Sequence, residues 1–195
     1  MKQSLQRHYY AAKVCRDLYY KPESVYVTKH KGFTYLAIEG SDTITDWVYN
    51  MMAVRYNNVH FGFNLYCNSC INNYDIEKTI DVNDNVIICG HSLGAVAAVL
   101  LLNKLNMQNV KEVVIFGCPK FCDSIFMTNI ENILNINNIN LYSYVNGEDI
   151  VTKLPPDILG YTSLKNQIQL KNNSDEKQTS FEDHHIANYV KKFNV

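Results

Sequence analysis

No apolar run in this chain of 195 residues is long enough to span a bilayer. The longest, GAVAAVLLL from Gly94 to Leu102, is about half of the ~20 residues a crossing helix needs, so it predicts a buried helix. An excess of charge of either sign is also lacking. Eighteen Lys and Arg against nineteen Asp and Glu leave a formal net charge of -1, which provides no basic face for nucleic acid. The first twenty residues, MKQSLQRHYYAAKVCRDLYY, scatter their charges and contain no continuous apolar stretch of the kind a secretory signal requires. Cytoplasmic residence is the expectation. Neither repeats nor an interdomain linker interrupt the sequence, so residues 1–195 read as one globular domain, large enough to build a single sizeable core.

Six cysteines are present, Cys15, Cys67, Cys70, Cys89, Cys118 and Cys122. Without an export signal they read as reduced thiols filling the core and not as a disulfide frame. The two close pairs, Cys67 with Cys70 and Cys118 with Cys122, lack the knuckle context of a zinc site, and no metal is expected.

Apolar residues at Leu5, Tyr9, Ala12 and Tyr19 recur at helical spacing and predict an opening amphipathic helix that Lys21-Pro22 stops. SVYVTKHKGFTYLAIEG reads as two strands turning at Lys31-Gly32. A helix is expected from Phe61 to Asn73, then a buried strand at VIIC, residues 86 to 89. A long apolar helix should follow from Ser92 to Asn106, and a second buried strand at residues 111 to 117. Strand, helix, strand is a parallel crossover. The Asn- and Ile-rich stretch from Thr128 to Asn140 reads as a polar connection with a helical turn, leading into the strand LYSYV. Asp183 is a suitable cap for a closing helix.

The chemistry enters at Gly90-His91-Ser92-Leu93-Gly94, between the VIIC strand and the apolar helix. A serine at a sharp strand-to-helix turn is lifted above the carboxyl edge of a sheet, and glycines two residues either side allow the close backbone approach that turn demands. The helix start aims N–H groups and partial positive charge at the same place, and the Leu93 N–H is the natural oxyanion donor. Ser92 is therefore the candidate nucleophile. It needs a base and an orienting acid, in the chain order serine, acid, histidine. Asp149, just past LYSYV, is the favoured acid, with Glu148 and Asp157 as alternatives. Only His184 and His185 follow it, so one of the two must be the base.

Six segments in order resemble the class 3 lipases: IEGSDTITDW (38 to 47), VHFGF (59 to 63), GHSLGA, IFGCPKFCD (115 to 123), NGEDIVTKLPP and DHHIANY. The resemblance implies an α/β-hydrolase fold with a mostly parallel central sheet and helices on both faces. It implies Ser92 as nucleophile, Asp149 as acid, and Ser41 joining Leu93 in the oxyanion hole. The family's last histidine follows an Asp and precedes a Tyr, which favours His184, with His185 as the alternative base. Ile38-Glu39 stands where the family has Phe-Arg. Ile44 and Trp47 could belong to a lid-like apolar helix, and Leu154 and Ile158 could wall an acyl pocket. The expected activity is hydrolysis of carboxylic esters, lipid acyl esters foremost, by a triad that needs no metal or organic cofactor. Transient contact with a membrane or lipid surface would accompany a lipid substrate. The alternative is a catalytically silent lipase-like binding module.

Overall fold

In the computed structural model, which describes residues 2–41, 55–105, 108–170 and 179–193, the chain opens with α1 (Lys2–Leu18). Its buried stripe, Ala11, Ala12, Val14, Cys15 and Leu18, faces the sheet, as helical periodicity dictates. Strands β1 (Val25–His30) and β2 (Phe33–Ile38) form the expected antiparallel hairpin, with Lys31 and Gly32 at positive φ in its turn. Two short strands, β3 (Arg55–Tyr56) and β4 (Val59–His60), pair with each other ahead of α2 (Phe61–Asn73) and the single-turn α3 (Ile76–Thr79).

The next strand, β5 (Val86–His91), is buried along its whole length. It feeds α4 (Leu93–Leu101), every residue of which is buried. This helix ends five residues earlier than expected. The backbone tightens into i→i−3 bonds at Leu102, Asn103 and Lys104, where the sequence turns polar. Strand β6 (Val110–Phe116) follows. The stretch expected to be a polar connection is instead largely taken up by a regular helix, α5 (Ser124–Ile136). Asp123 caps it by accepting from the Phe126 N–H, while Met127 and Ile130, three apart, anchor it to the core. Asparagine content concealed that pattern.

Strand β7 (Asn140–Asn146) and the short β8 (Ile168–Leu170) complete the sheet, and α6 (Ile186–Lys192) closes the described chain. The sheet order is β1-β2-β5-β6-β7-β8, antiparallel only at β1. Alternation along β5 sends Val86 and Ile88 into one core with α2 and α4, and Ile87 and Cys89 into the other with α1 and α6. Helices therefore cover both faces, which explains why the central strands are apolar throughout. Among the described residues no helix is long and apolar enough to cross a membrane.

All six thiols are free and buried. Loss of hydration raises the thiol pKa to about 12 for Cys67 and Cys122 and about 11 for Cys70, and pushes Cys15 and Cys118 well up. They behave as small core residues.

One polar cluster interrupts the apolar packing between α1 and the sheet. Glu112 on β6 accepts from Arg7 at 2.5 Å and lies 3.2 Å from His8, whose other ring nitrogen is 2.6 Å from the Tyr144 hydroxyl. Burial pushes the Glu112 carboxyl up, but the hydrogen bonds from His8 and Arg7, with their charge, outweigh burial and hold it below the ordinary 4.5. A depressed carboxylate contributes stability that is complete above its unfolded pKa and is lost as pH falls through the folded one. Glu112→Gln should therefore cost about 3 kcal/mol at neutral pH by breaking a buried pair. It should also flatten the decline in urea midpoint below pH 4.5; an acid limb as steep as wild type would exclude Glu112 as its source.

Candidate active site

Strand β5 runs directly into Ser92, whose backbone is held at φ 60 and ψ −121, a region an L-residue enters only under constraint. The constraint is visible on both sides. A Cβ on Gly90 would collide with the Gly94 carbonyl, and one on Gly94 would collide with the carbonyls of Ile38 and Glu39. These absent methyl groups let the first turn of α4 press against the end of β2. The Ser92 N–H bonds to the Phe116 carbonyl at 3.0 Å, fixing the turn to β6 as well.

Ser92 Oγ lies 2.8 Å from His184 Nε2. Nδ1 of the same ring is 2.9 Å from each oxygen of Asp149. An ionised carboxylate only accepts, so Nδ1 carries the proton, Nε2 accepts, and the serine hydroxyl donates to it. Asp149 is fully buried and accepts two further bonds, from the Val151 N–H at 2.9 Å and the Tyr189 hydroxyl at 2.5 Å. Burial and the neighbouring carboxylate push the Tyr189 phenol well up, so it stays a donor. Gly117, at φ 57, forms the floor: a Cβ there would come within 2.8 Å of Asp149 Oδ2 and 3.0 Å of the His184 ring.

The other candidates separate cleanly. Glu148 is exposed and bonds to Lys153, while Asp157 pairs with Lys120 at 2.5 Å. His185 is exposed and its ring makes none of these contacts; it is the residue before α6. Asp183 does not cap that helix. Its buried carboxylate instead accepts from the Glu148 N–H at 2.8 Å, and the Asn146 amide donates to the Asp183 carbonyl at 2.9 Å. These bonds tie the turn carrying His184 to the loop carrying Asp149.

His91, which its place beside Ser92 left to a structural role, holds His184 by its backbone. It is buried, and desolvation, then the proximity of His184, lowers its pKa well below 6.5, so it is neutral. Its Nε2–H donates to the His184 carbonyl at 2.7 Å, which leaves Nδ1 to accept from the Tyr19 hydroxyl, also at 2.7 Å. The same hydroxyl fills the space where a Cβ on Gly40 would be. Tyr19 thus links the end of α1 to the segment that carries Ser41.

A cavity of about 540 Å³ opens beside these groups, lined by Ser41, His91, Val151, His184 and Ile186 among others. Ser92 itself has no exposed surface, so His184 and Ser41 are what the site shows to the cavity. Leu154 and Ile158 are not on its wall, and Ile158 is 93% exposed. Ile44 and Trp47 lie outside the described residues.

A family model described as lipase (class 3) matches residues 35–159. Among solved structures, the chain is similar to lipase II from Rhizopus niveus, with TM-score 0.67 and 19% identity over 84% of this chain and 79% of that one. It is similar to the triacylglyceride lipase of Rhizomucor miehei, with TM-score 0.68 and 19% identity over 89% and 83%. A triacylglycerol lipase described as having a serine protease triad as its catalytic centre gives TM-score 0.67 and 20% identity over 89% and 83%. No curated protein matches the chain.

Proposed function

Since the chain belongs to the class 3 lipase family, we propose that it is a serine esterase that cleaves carboxylic esters, lipid acyl esters foremost, through Ser92, His184 and Asp149. The observation that carries this reading is the unbroken proton path from Ser92 Oγ through the His184 ring to the buried Asp149 carboxylate. Serine alone is a poor nucleophile at neutral pH; an imidazole at hydrogen-bond distance removes its proton as the bond to carbon forms.

His184 Nε2 takes the Ser92 proton while Oγ attacks the ester carbonyl. Negative charge gathers on the carbonyl oxygen, where the backbone N–H groups of Leu93 and Ser41 would receive it. The imidazolium, stabilised by Asp149, then gives its proton to the leaving alcohol as the carbon–oxygen bond breaks. A water deprotonated by the same ring attacks the acyl-enzyme, and the acid leaves with Ser92 restored. His184 is the base in this scheme and His185 is not, because only the former touches both partners.

A fluorophosphonate probe reports on the proposal directly. Covalent labelling mapped to Ser92, with turnover of short nitrophenyl esters, is the expected result. A folded wild-type chain that resists the probe and turns over no nitrophenyl, glyceride or phospholipid ester would make it a silent binding module instead.

A further inference from the structure

The cavity beside His184 carries features that bond cleavage alone does not use. Arg16, from the last turn of α1, is part of its wall, together with Tyr20, Phe181 and His185. Two of these are aromatic groups held out in solvent, Tyr20 at 87% and Phe181 at 47% exposure. The guanidinium bonds through Nε and Nη2 to one oxygen of its sequence neighbour Asp17, at 2.9 and 2.7 Å. Both side chains of that pair are substantially exposed, at 35% and 53%, so the contact is held weakly and is readily exchanged for a ligand.

The side of the scissile bond that enters this space follows from the proton transfer. A general acid must stand within hydrogen-bond reach of the oxygen it protonates, and His184 protonates the leaving alcohol. The alcohol must therefore lie on the imidazole's side of Ser92. That side is this cavity, whose wall includes His184 itself, its neighbours Phe181, His185, Ile186 and Ala187, and Val151 near Asp149.

We propose that this cavity receives the alcohol portion of the ester, and that Arg16 selects alcohols bearing an anionic group, phosphate or carboxylate. The inference rests on the hydrolase reading for its orientation. A guanidinium fork suits either anion, because two parallel N–H donors meet two oxygens. Tyr20 and Phe181 offer apolar cover to the short spacer between ester and anion, and Asp17 occupies the guanidinium until the anion displaces it.

The test compares hexanoyl esters of glycerol phosphate and of glycolate with neutral hexanoylglycerol. All are used as dissolved monomers, so that attraction to a charged lipid surface plays no part. Wild type should favour at least one anionic ester in kcat/KM, and Arg16→Gln should lower the anionic-to-neutral ratio about tenfold. Asp17→Asn should raise the ratio by releasing Arg16. A ratio that Arg16→Gln leaves unchanged overturns the proposal. Calorimetric binding of a hexyl ether of glycerol phosphate, which cannot be hydrolysed, provides a second reading in Ser92→Ala with and without Arg16→Gln. Arg16-dependent binding in a chain whose wild type turns over no ester would keep the anion site and sink the hydrolase reading. Equal binding by the two variants would sink the anion site whatever the turnover.

Discussion

Replacing Ser92 with alanine should lower kcat for ester hydrolysis by about a million-fold, with kcat/KM falling in proportion. In the proposed scheme the hydroxyl is the atom that bonds to the acyl carbon, so its loss would remove the covalent route entirely and leave only binding and the oxyanion donors to act on water. Residual catalysis of about 10³ over the uncatalysed rate is compatible with those groups alone. Stability should change little or improve. Ser92 sits at φ 60, and alanine there keeps the strained turn while deleting only Oγ and its 2.8 Å bond to His184. The measurement is turnover of a nitrophenyl ester alongside thermal unfolding. A folded Ser92→Ala protein with a tenth or more of wild-type activity would show that another group is the nucleophile.

Asp149→Asn should cost about 10⁴ in kcat, almost as much, although the side chain changes by a single atom. The reason lies in what surrounds the carboxylate. Its oxygens receive the Val151 N–H, the Tyr189 hydroxyl and the His184 Nδ1–H, all donors. An amide can leave only one oxygen to accept. The Val151 N–H claims that oxygen at the Oδ1 position, because a backbone donor cannot turn away. The amide nitrogen is then forced to the Oδ2 position, within 2.9 Å of Nδ1 and next to the Tyr189 hydroxyl, which can rotate to accept. An amide N–H pointed at Nδ1 favours the tautomer protonated on Nε2, which cannot accept from Ser92. The negative charge that stabilises the imidazolium is lost as well. Thermal stability should hold while kcat and fluorophosphonate labelling both collapse. A mutant within tenfold of wild type would show that Asp149 contributes only packing.

The two variants separate the roles that the geometry assigns. Labelling by the probe is impossible in Ser92→Ala and merely slow in Asp149→Asn, where the hydroxyl survives with a misdirected base. The Arg16 variant differs from both, because it touches neither Oγ nor the imidazole and shows only when substrates of different charge are compared.

Much of this architecture was legible in the residues. A four-residue run apolar on both faces, a glycine-flanked serine and an apolar helix after it identify the strand, turn and helix of the elbow, because each follows from local sterics and periodicity. Chain order then restricted the candidate base to His184 or His185, and a place just past the strand LYSYV favoured Asp149 among three neighbouring acids. Helix α5 was missed because its asparagines resemble a loop. The cap at Asp123 and the apolar positions Met127 and Ile130 were the signals that could have found it.

What escaped the sequence is the set of contacts between segments distant along the chain. Gly117 lies in a motif that resembled the family, yet nothing in its neighbours says that a methyl group there would strike Asp149 and His184. His91 abuts Ser92 in sequence and donates to the carbonyl of His184, 93 residues away in the chain. Tyr189 and Asp183 flank the histidine pair as spacing markers, but one bonds Asp149 and the other ties together the segments that carry Asp149 and His184.

The amino-acid order by itself determined the fold class and narrowed the candidate site to Ser92 and a short roster of partners, because strand burial, turn strain and chain direction are local properties. Only tertiary folding set His184, and not His185, between Ser92 and Asp149, gave Asp149 its three donors and brought Arg16 to the wall of the cavity. Those outcomes depend on contacts between segments far apart in the chain, His184 with Ser92 and Asp149 above all, which no local property of the sequence fixes.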